Sequence, residues 1–264
     1  MLTFVGLGLY DERSITIEGR EAIDSADRVF AEFYTSILAG TTVADLEAFH
    51  DVAIEVRDRA GTESDPEPIL SAARERTTAF LVGGDPMIST THVDLRLRAT
   101  EEGIDTRVVH GTTAQAAASS LTGLQNYRFG KATTLPFAYG SGGVPESVLR
   151  VIAENRERGL HTLCYLDIEA DREAYMSADD AAGRLADAIE STNQSDAGDT
   201  GSEPLAVGIA RAGSSESLVR ADRLSALASA DFGDPLHLLV IPGDLHHLEA
   251  EALETLAGAP EGLM

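Results

Sequence analysis

Short apolar runs alternate along the chain with stretches of helical period. "LTFVG" at 2–6 and "TAFLV" at 78–82 show the first kind, β-rich and bounded by glycine. Runs of this kind predict strands over 2–6, 28–33, 52–56, 78–82, 106–110, 132–136, 161–167, 204–211 and 236–241. Helical patterns fall between them at about 16–25, 41–48, 67–76, 91–102, 112–122, 145–157, 177–190 and 246–257. Several open with helix-start chemistry: "STTH" before 93, "SAD" before 180 and Pro145 near a first turn. Alternation of the two patterns predicts an α/β protein with largely parallel sheets. Nine strands are many for one sheet, so two α/β domains are expected, 1–111 and 112–264, divided near "HGTTAQAAASS". The polar stretch at about 191–203 is expected to be a mobile acidic loop of the second domain. No internal repeat is visible.

Composition changes the picture in one respect. Apolar residues make up 43% of the 264 positions, ordinary for a globular chain. The 44 acids and 20 bases give a formal charge of −24, and of those bases only Lys131 is lysine. Such a chain repels nucleic acid and anionic membranes. It suits a halophile, since at 1 M salt charges are screened over about 3 Å. The charge therefore describes habitat rather than a partner. A single cysteine, Cys164, lies in the apolar run "LCYL". It reads as a buried thiol of a cytoplasmic protein. No run reaches the ~20 apolar residues of a membrane span, and "MLTFVGLG" begins a strand with no signal-peptide pattern.

Two strand ends carry candidate chemistry. "FVGLGLYDE" ends a strand in Gly6-x-Gly8, which lets a ligand approach the backbone. A dinucleotide fingerprint would place a small residue at position 11, where this chain has Asp11. Glu32, at the end of the second expected strand, stands where a ribose-binding acid would sit, so an NAD-dependent dehydrogenase stays open as a reading. The second strand end is "AFLVGGDPMISTTH". Gly83 and Gly84 permit positive φ, Pro86 sets the next turn, and Asp85 lies at a strand's C-terminal end, where open α/β sheets bind ligands. No P-loop is present, "GSGG" at 140–143 lacks the spacing of a serine-hydrolase elbow, and the seven histidines lack metal-ligand spacing. Lys131, after "YRFG", reads as part of a packed turn.

Longer words then carry a resemblance. "GLGLYDERSIT", "FAEFYTS", "GDP" followed by "STTH", "GLHTLCYLDI", "YMSADDA", "ARAGS" and "DFGDPLHLLVIPGDLHHLEAEAL" run in order from residue 2 to near 260. The chain resembles the tetrapyrrole-methylase-like, S-adenosylmethionine-dependent methyltransferases, in their archaeal diphthamide-biosynthesis branch. The resemblance implies two α/β domains with the cofactor in the cleft between them, and a homodimer. It implies trimethylation of a modified histidine on translation elongation factor 2, by repeated transfer to the amino group of its 3-amino-3-carboxypropyl arm, giving diphthine. S-adenosyl-L-methionine would leave as S-adenosyl-L-homocysteine, with no metal. Matched word by word, the implied cofactor-binding positions are Leu9, Asp85, Ile88, Thr113, Ala114, Leu166, Ala212 and His237. The chain departs from the family's wording at "HGTTA" and at Gly83, and backbone contacts survive such changes. Glu32, Tyr34 and Asp167 are candidates for contacts to the acceptor, and no catalytic residue is assigned. A corrin-precursor methyltransferase of the same fold, or a non-catalytic protein that binds S-adenosylmethionine as a sensor, would also be compatible with these motifs.

Overall fold

The computed structural model describes residues 1–137, 143–195 and 203–261. The chain forms two compact units, one of Met1–Ala114 with Ala170–Arg172, the other of Gln115–Glu169 with Glu173–Met264.

The first unit holds strands β1 (Leu2–Gly6), β2 (Arg28–Glu32), β3 (Ile54–Arg57), β4 (Thr78–Val82) and β5 (Thr106–Val109). They form one parallel sheet in the order β3-β2-β4-β1-β5. Its helices are α1 (Ile17–Asp24), α2 (Val43–His50), α3 (Glu67–Glu75) and α4 (Val93–Glu101). Successive strand residues face opposite sides. Phe4, Phe30 and Phe80 meet Ile69 and Leu70 of α3 and Leu95 of α4 on one side. Val5, Ala31 and Leu81 meet Ile23 of α1 and Leu46 of α2 on the other. Both faces are thus dry, which is why these strands read as unbroken apolar runs. Each buried phenylalanine contributes about 1.5–3 kcal/mol of transfer free energy.

The second unit begins with α5, which spans Ala114–Thr122. Next come β6 (Thr133–Leu135), α6 (Glu146–Glu157), β7 (Thr162–Leu166), the short pair β8 (Ile168–Glu169) and β9 (Ala174–Tyr175), and α7 (Ala178–Ser195). The rest is β10 (Leu205–Ala210), β11 (Leu218–Arg223), α8 (Leu224–Leu227), β12 (His237–Ile241) and α9 (His247–Ala257). The main sheet runs β11-β10-β12-β7-β6. Only β6 and β7 are parallel; the other three pairings are antiparallel. The expectation of largely parallel sheets therefore fails in this unit. The physical reason is β11, a hairpin partner of β10 whose alternation is diluted by Arg220, Asp222 and Arg223.

Helix starts follow local chemistry. Thr16 caps α1 by accepting from Gly19 N, and Ser177 Oγ accepts from Asp180 N at the head of α7. Asp11 caps a short 3₁₀ turn over Glu12–Ser14, which delays α1. "STTH" gives no side-chain cap to α4, because His92 turns its ring inward. Helix α7 continues to Ser195, five residues into the stretch expected to be loop, and the remainder of that loop lies outside the described residues, as does most of 140–143. Burial pushes the Cys164 thiol up to about 12, and it is a core residue. The turn at Lys131 is pinned through its backbone: Asn155 Nδ2 donates to its carbonyl at 2.9 Å while its side chain is exposed.

Candidate functional site

In the first unit the C-terminal ends of the adjacent strands β4, β1 and β5 come together. The loops after β1 and β4 clasp through a bridge between Gly8 and Gly84: Gly84 N donates to Gly8 O at 2.7 Å, and Gly8 N to Gly84 O at 3.3 Å. Both residues have positive φ, +80° and +74°, so glycine suits them. Gly6 is required for another reason. A Cβ there would lie 2.5 Å from Gly84 O and 2.6 Å from Gly111 N. Three backbones thus touch with no side chain between them. Gly83 is the exception among the expected glycines: its nearest neighbour would be Ser36 Cβ at 3.3 Å, and its φ is not positive.

Asp85 is 6% exposed and turned toward its own loop. Its Oδ1 accepts from Met87 N at 2.9 Å. Its Oδ2 pairs with His110 Nδ1 at 2.7 Å and accepts from Gly111 N at 3.4 Å. The carboxylate therefore shapes the loop ends after β4 and β5. Around it, Leu9, Thr113 and Ala114 are half-buried and Ile88 is 45% exposed. These five expected positions share one end of one sheet. Gly111 and His110 belong with them and were not singled out by sequence reading. The signal was present: "VVHG" is a third strand end with glycine, adjacent to the other two.

Glu32 corrects two expectations. It is fully buried, and its Oε2 accepts from Tyr34 N and Thr35 N at 3.0 Å each, while its Oε1 accepts from the Thr35 hydroxyl. A carboxylate consumed by its own turn can serve neither a ribose nor an acceptor, which removes the support for a dehydrogenase. Burial raises its pKa, against the bonds from Thr35 and Tyr34. His92 lies beside it, Nε2 3.4 Å from Oε1, and burial pulls that imidazole down. Burial and then the Glu32 charge push the Tyr34 phenol up, so it stays protonated.

The second unit gathers its expected residues at one end of its sheet as well. Leu166 ends β7, Ala212 follows β10, and His237 starts β12, which runs antiparallel to both. Ala212 sits in a turn between Arg211 (φ 51°) and Gly213 (φ 94°). Arg211 anchors that turn, its guanidinium donating to Asp234 O at 3.1 Å. His237 is 6% exposed: its Nδ1 accepts from Ala178 N at 3.1 Å, and its Nε2 donates to Asp234 O at 2.8 Å. Burial lowers its pKa, and both ring nitrogens are already engaged. Asp167 accepts from Phe137 N at 2.8 Å and Ile168 N at 3.0 Å, so its carboxylate, too, holds the strand end.

Among the described residues no cluster of His, Cys, Asp or Glu could hold a metal ion. No described helix is long and apolar enough to cross a membrane.

Comparison with known proteins agrees on one family. The model of the tetrapyrrole (corrin/porphyrin) methylases matches residues 1–228. The chain is 66% identical over 275 residues to a diphthine synthase of Halorubrum lacusprofundi, covering 100% of this chain and 99% of that one. It is 63% identical over 267 residues to a diphthine synthase of Halobacterium salinarum, covering 98% of each. A crystal structure of diphthine synthase superposes with a TM-score of 0.88 at 38% identity, covering 99% of this chain and 98% of the other. The chain belongs to the tetrapyrrole methylase family, as a methyltransferase of its diphthine synthase group.

Proposed function

We propose that the chain transfers methyl groups from S-adenosyl-L-methionine to the amino group of the 3-amino-3-carboxypropyl-histidine of translation elongation factor 2, giving diphthine. The observation that supports this most is the side-chain-free contact of Gly6, Gly84 and Gly111 at the ends of three adjacent strands. It closes the three strand ends on one another and keeps Gly84 open, with no atom nearer than 3.9 Å to a Cβ there, at the place where open α/β sheets bind ligands. The donor supplies an activated methyl group on a sulfonium, so the chemistry needs neither a metal nor a covalent enzyme intermediate.

The chain's own task is to hold donor and acceptor in line and to exclude water. Gly8 and Gly84 keep the two loops clasped, and Asp85 fastens the amides of Met87 and Gly111. Leu9, Ile88, Thr113 and Ala114 are the first unit's contacts for the donor in this reading, and Leu166, Ala212 and His237 are the second's. The engaged ring nitrogens of His237 leave it backbone and ring-face contacts. An amine can lose its proton to water before each attack, so the reading assigns no general base. It places the enzyme in the cytoplasm as a homodimer, with elongation factor 2 as its protein substrate.

Titration calorimetry in concentrated potassium chloride tests the donor. S-adenosylhomocysteine is expected to bind at a single site per chain, and NAD is expected not to bind. Binding of NAD alone would overturn the reading.

A further inference from the structure

The loop after β4 rests on a buried histidine that no part of the proposed chemistry uses. His92 is 1% exposed and lies at the head of α4, beneath "GGDPMIST". Its Nδ1 is 3.2 Å from the Pro86 carbonyl and 3.0 Å from Thr90 Oγ1. A carbonyl only accepts, so Nδ1 carries a hydrogen and the contact to Pro86 is a donated bond. The other nitrogen, Nε2, faces Glu32 Oε1 at 3.4 Å. The ring is held edge-on by Phe80 (centroids 5.3 Å apart) and by Tyr34 (6.4 Å). Other charges face this pocket. Arg59 stacks on Tyr34 at 4.8 Å, and Glu63 accepts from Thr91 at 2.9 Å.

Both contacts of Nδ1 bear on the same short loop. Pro86 lies between Asp85, which fastens Met87 and Gly111, and Ile88, which is 45% exposed. Asp85 ties the loop from the side of β5, and His92 ties it from below. Glu32 cannot reach the loop itself, because its oxygens accept from Tyr34 and Thr35, but it closes the far side of the imidazole.

We propose that His92 is a positioning residue for the donor: its Nδ1–H, bonded to the Pro86 carbonyl, sets the Asp85–Ile88 loop, while Phe80 and Tyr34 hold the ring edge-on. This rests on the reading of that loop as part of the donor site. It predicts that donor affinity depends on one ring nitrogen and not the other.

Amide side chains separate the two nitrogens. Asparagine places an amide NH near the Nδ1 position, and glutamine near the Nε2 position. His92→Ala and His92→Gln are each expected to weaken S-adenosylhomocysteine binding roughly tenfold, the worth of one lost hydrogen bond. His92→Asn is expected to stay within about threefold of the parent. The loss is expected in KM for S-adenosylmethionine, with kcat nearly unchanged. Hydrogen exchange gives an independent readout: amides of 83–92 are expected to exchange faster in the Ala and Gln variants than in Asn, while those of β4 are unchanged. Equal effects of Asn and Gln, or parent-like affinity and exchange in Ala, would overturn the proposal. If the parent itself fails to bind S-adenosylhomocysteine, the functional reading falls, and the order of exchange rates still decides whether His92 holds the loop.

Discussion

Each of the two units holds a buried histidine–glutamate pair, and the two pairs are satisfied very differently. In the second unit Glu249 and His161 are both fully buried, with Nε2 and Oε1 3.0 Å apart. Gly243 N donates to His161 Nδ1 at 3.0 Å, so the ring hydrogen must sit on Nε2 and point at the carboxylate. Glu249 also accepts from Gln125 N (2.9 Å), His246 N (2.8 Å) and Arg128 (3.1 Å). Every polar atom of the pair has a partner, and segments far apart in sequence are tied to one carboxylate. In the first unit the Glu32–His92 contact is longer, 3.4 Å, and Nε2 lacks hydrogen-bond geometry. The saturated pair fastens the turn that follows α5 to the head of α9; the looser pair sits beneath the loop proposed to hold the donor. Buried polar groups that are fully paired rigidify a fold, and the pair left loose adjoins the candidate site.

The strongest way to break this comparison is to remove the saturated carboxylate. Glu249→Ala strands His161, Arg128 and two backbone amides, and is expected to cost about 3–5 kcal/mol of stability. Denaturant unfolding in concentrated potassium chloride measures it. Next comes the glycine contact. Gly6→Ala forces a Cβ against Gly84 O and Gly111 N, with an expected cost of about 1–3 kcal/mol. Its S-adenosylhomocysteine affinity is expected to fall with it, read by calorimetry. Gly83→Ala meets no positive φ and places its Cβ 3.3 Å from Ser36 Cβ, a tight contact that Ser36 must relieve by a few tenths of an ångström, so its affinity is expected to fall less than that of Gly6→Ala.

A third effect is set by pH. Burial holds the His161 pKa below its ordinary value, so between the two values the unfolded chain binds a proton that the folded chain does not. Stability is therefore expected to fall as pH drops below the unfolded histidine value of about 6.5. Glu249 adds to this at lower pH. Burial pushes its pKa up, but the amides of His246 and Gln125 and the His161 ring outweigh that and hold it below its ordinary value. His161→Gln, which keeps a donor near the Nε2 position, is expected to flatten the upper part of the profile, as thermal unfolding at successive pH values would show. A small effect on stability is expected from Glu32→Gln, about 1 kcal/mol, because a neutral amide oxygen can still accept from Tyr34 N and Thr35 N.

Much of the architecture was legible because its signals are local. The unbroken run Thr78–Val82 follows from burial on both faces of a parallel sheet, and the delay of α1 follows from Asp11 capping a turn of its own. Strand β11 was not legible. Leu218–Arg223 carries three charged residues at an edge, and its pairing with β10 arises from tertiary context. At the site, Gly6, Gly8 and Gly84 could be read from strand-end spacing. Gly111 carries the same strand-end signal in "VVHG", but its close approach to the backbones of Gly6 and Gly84 shows only in the fold. The same limit applies to Glu32: an acid at a strand end looks available to a ligand until the Tyr34–Thr35 turn is seen to fold over it.

The most direct test of the whole account is methyl transfer itself. The chain would be incubated in concentrated potassium chloride with S-adenosylmethionine and elongation factor 2, with and without the 3-amino-3-carboxypropyl group on its histidine. Intact-mass and peptide spectra would follow the product. The account predicts mass gains of whole methyl groups, located on that side chain and seen only in the modified factor. No gain on the modified factor, or an equal gain on the unmodified one, would contradict it.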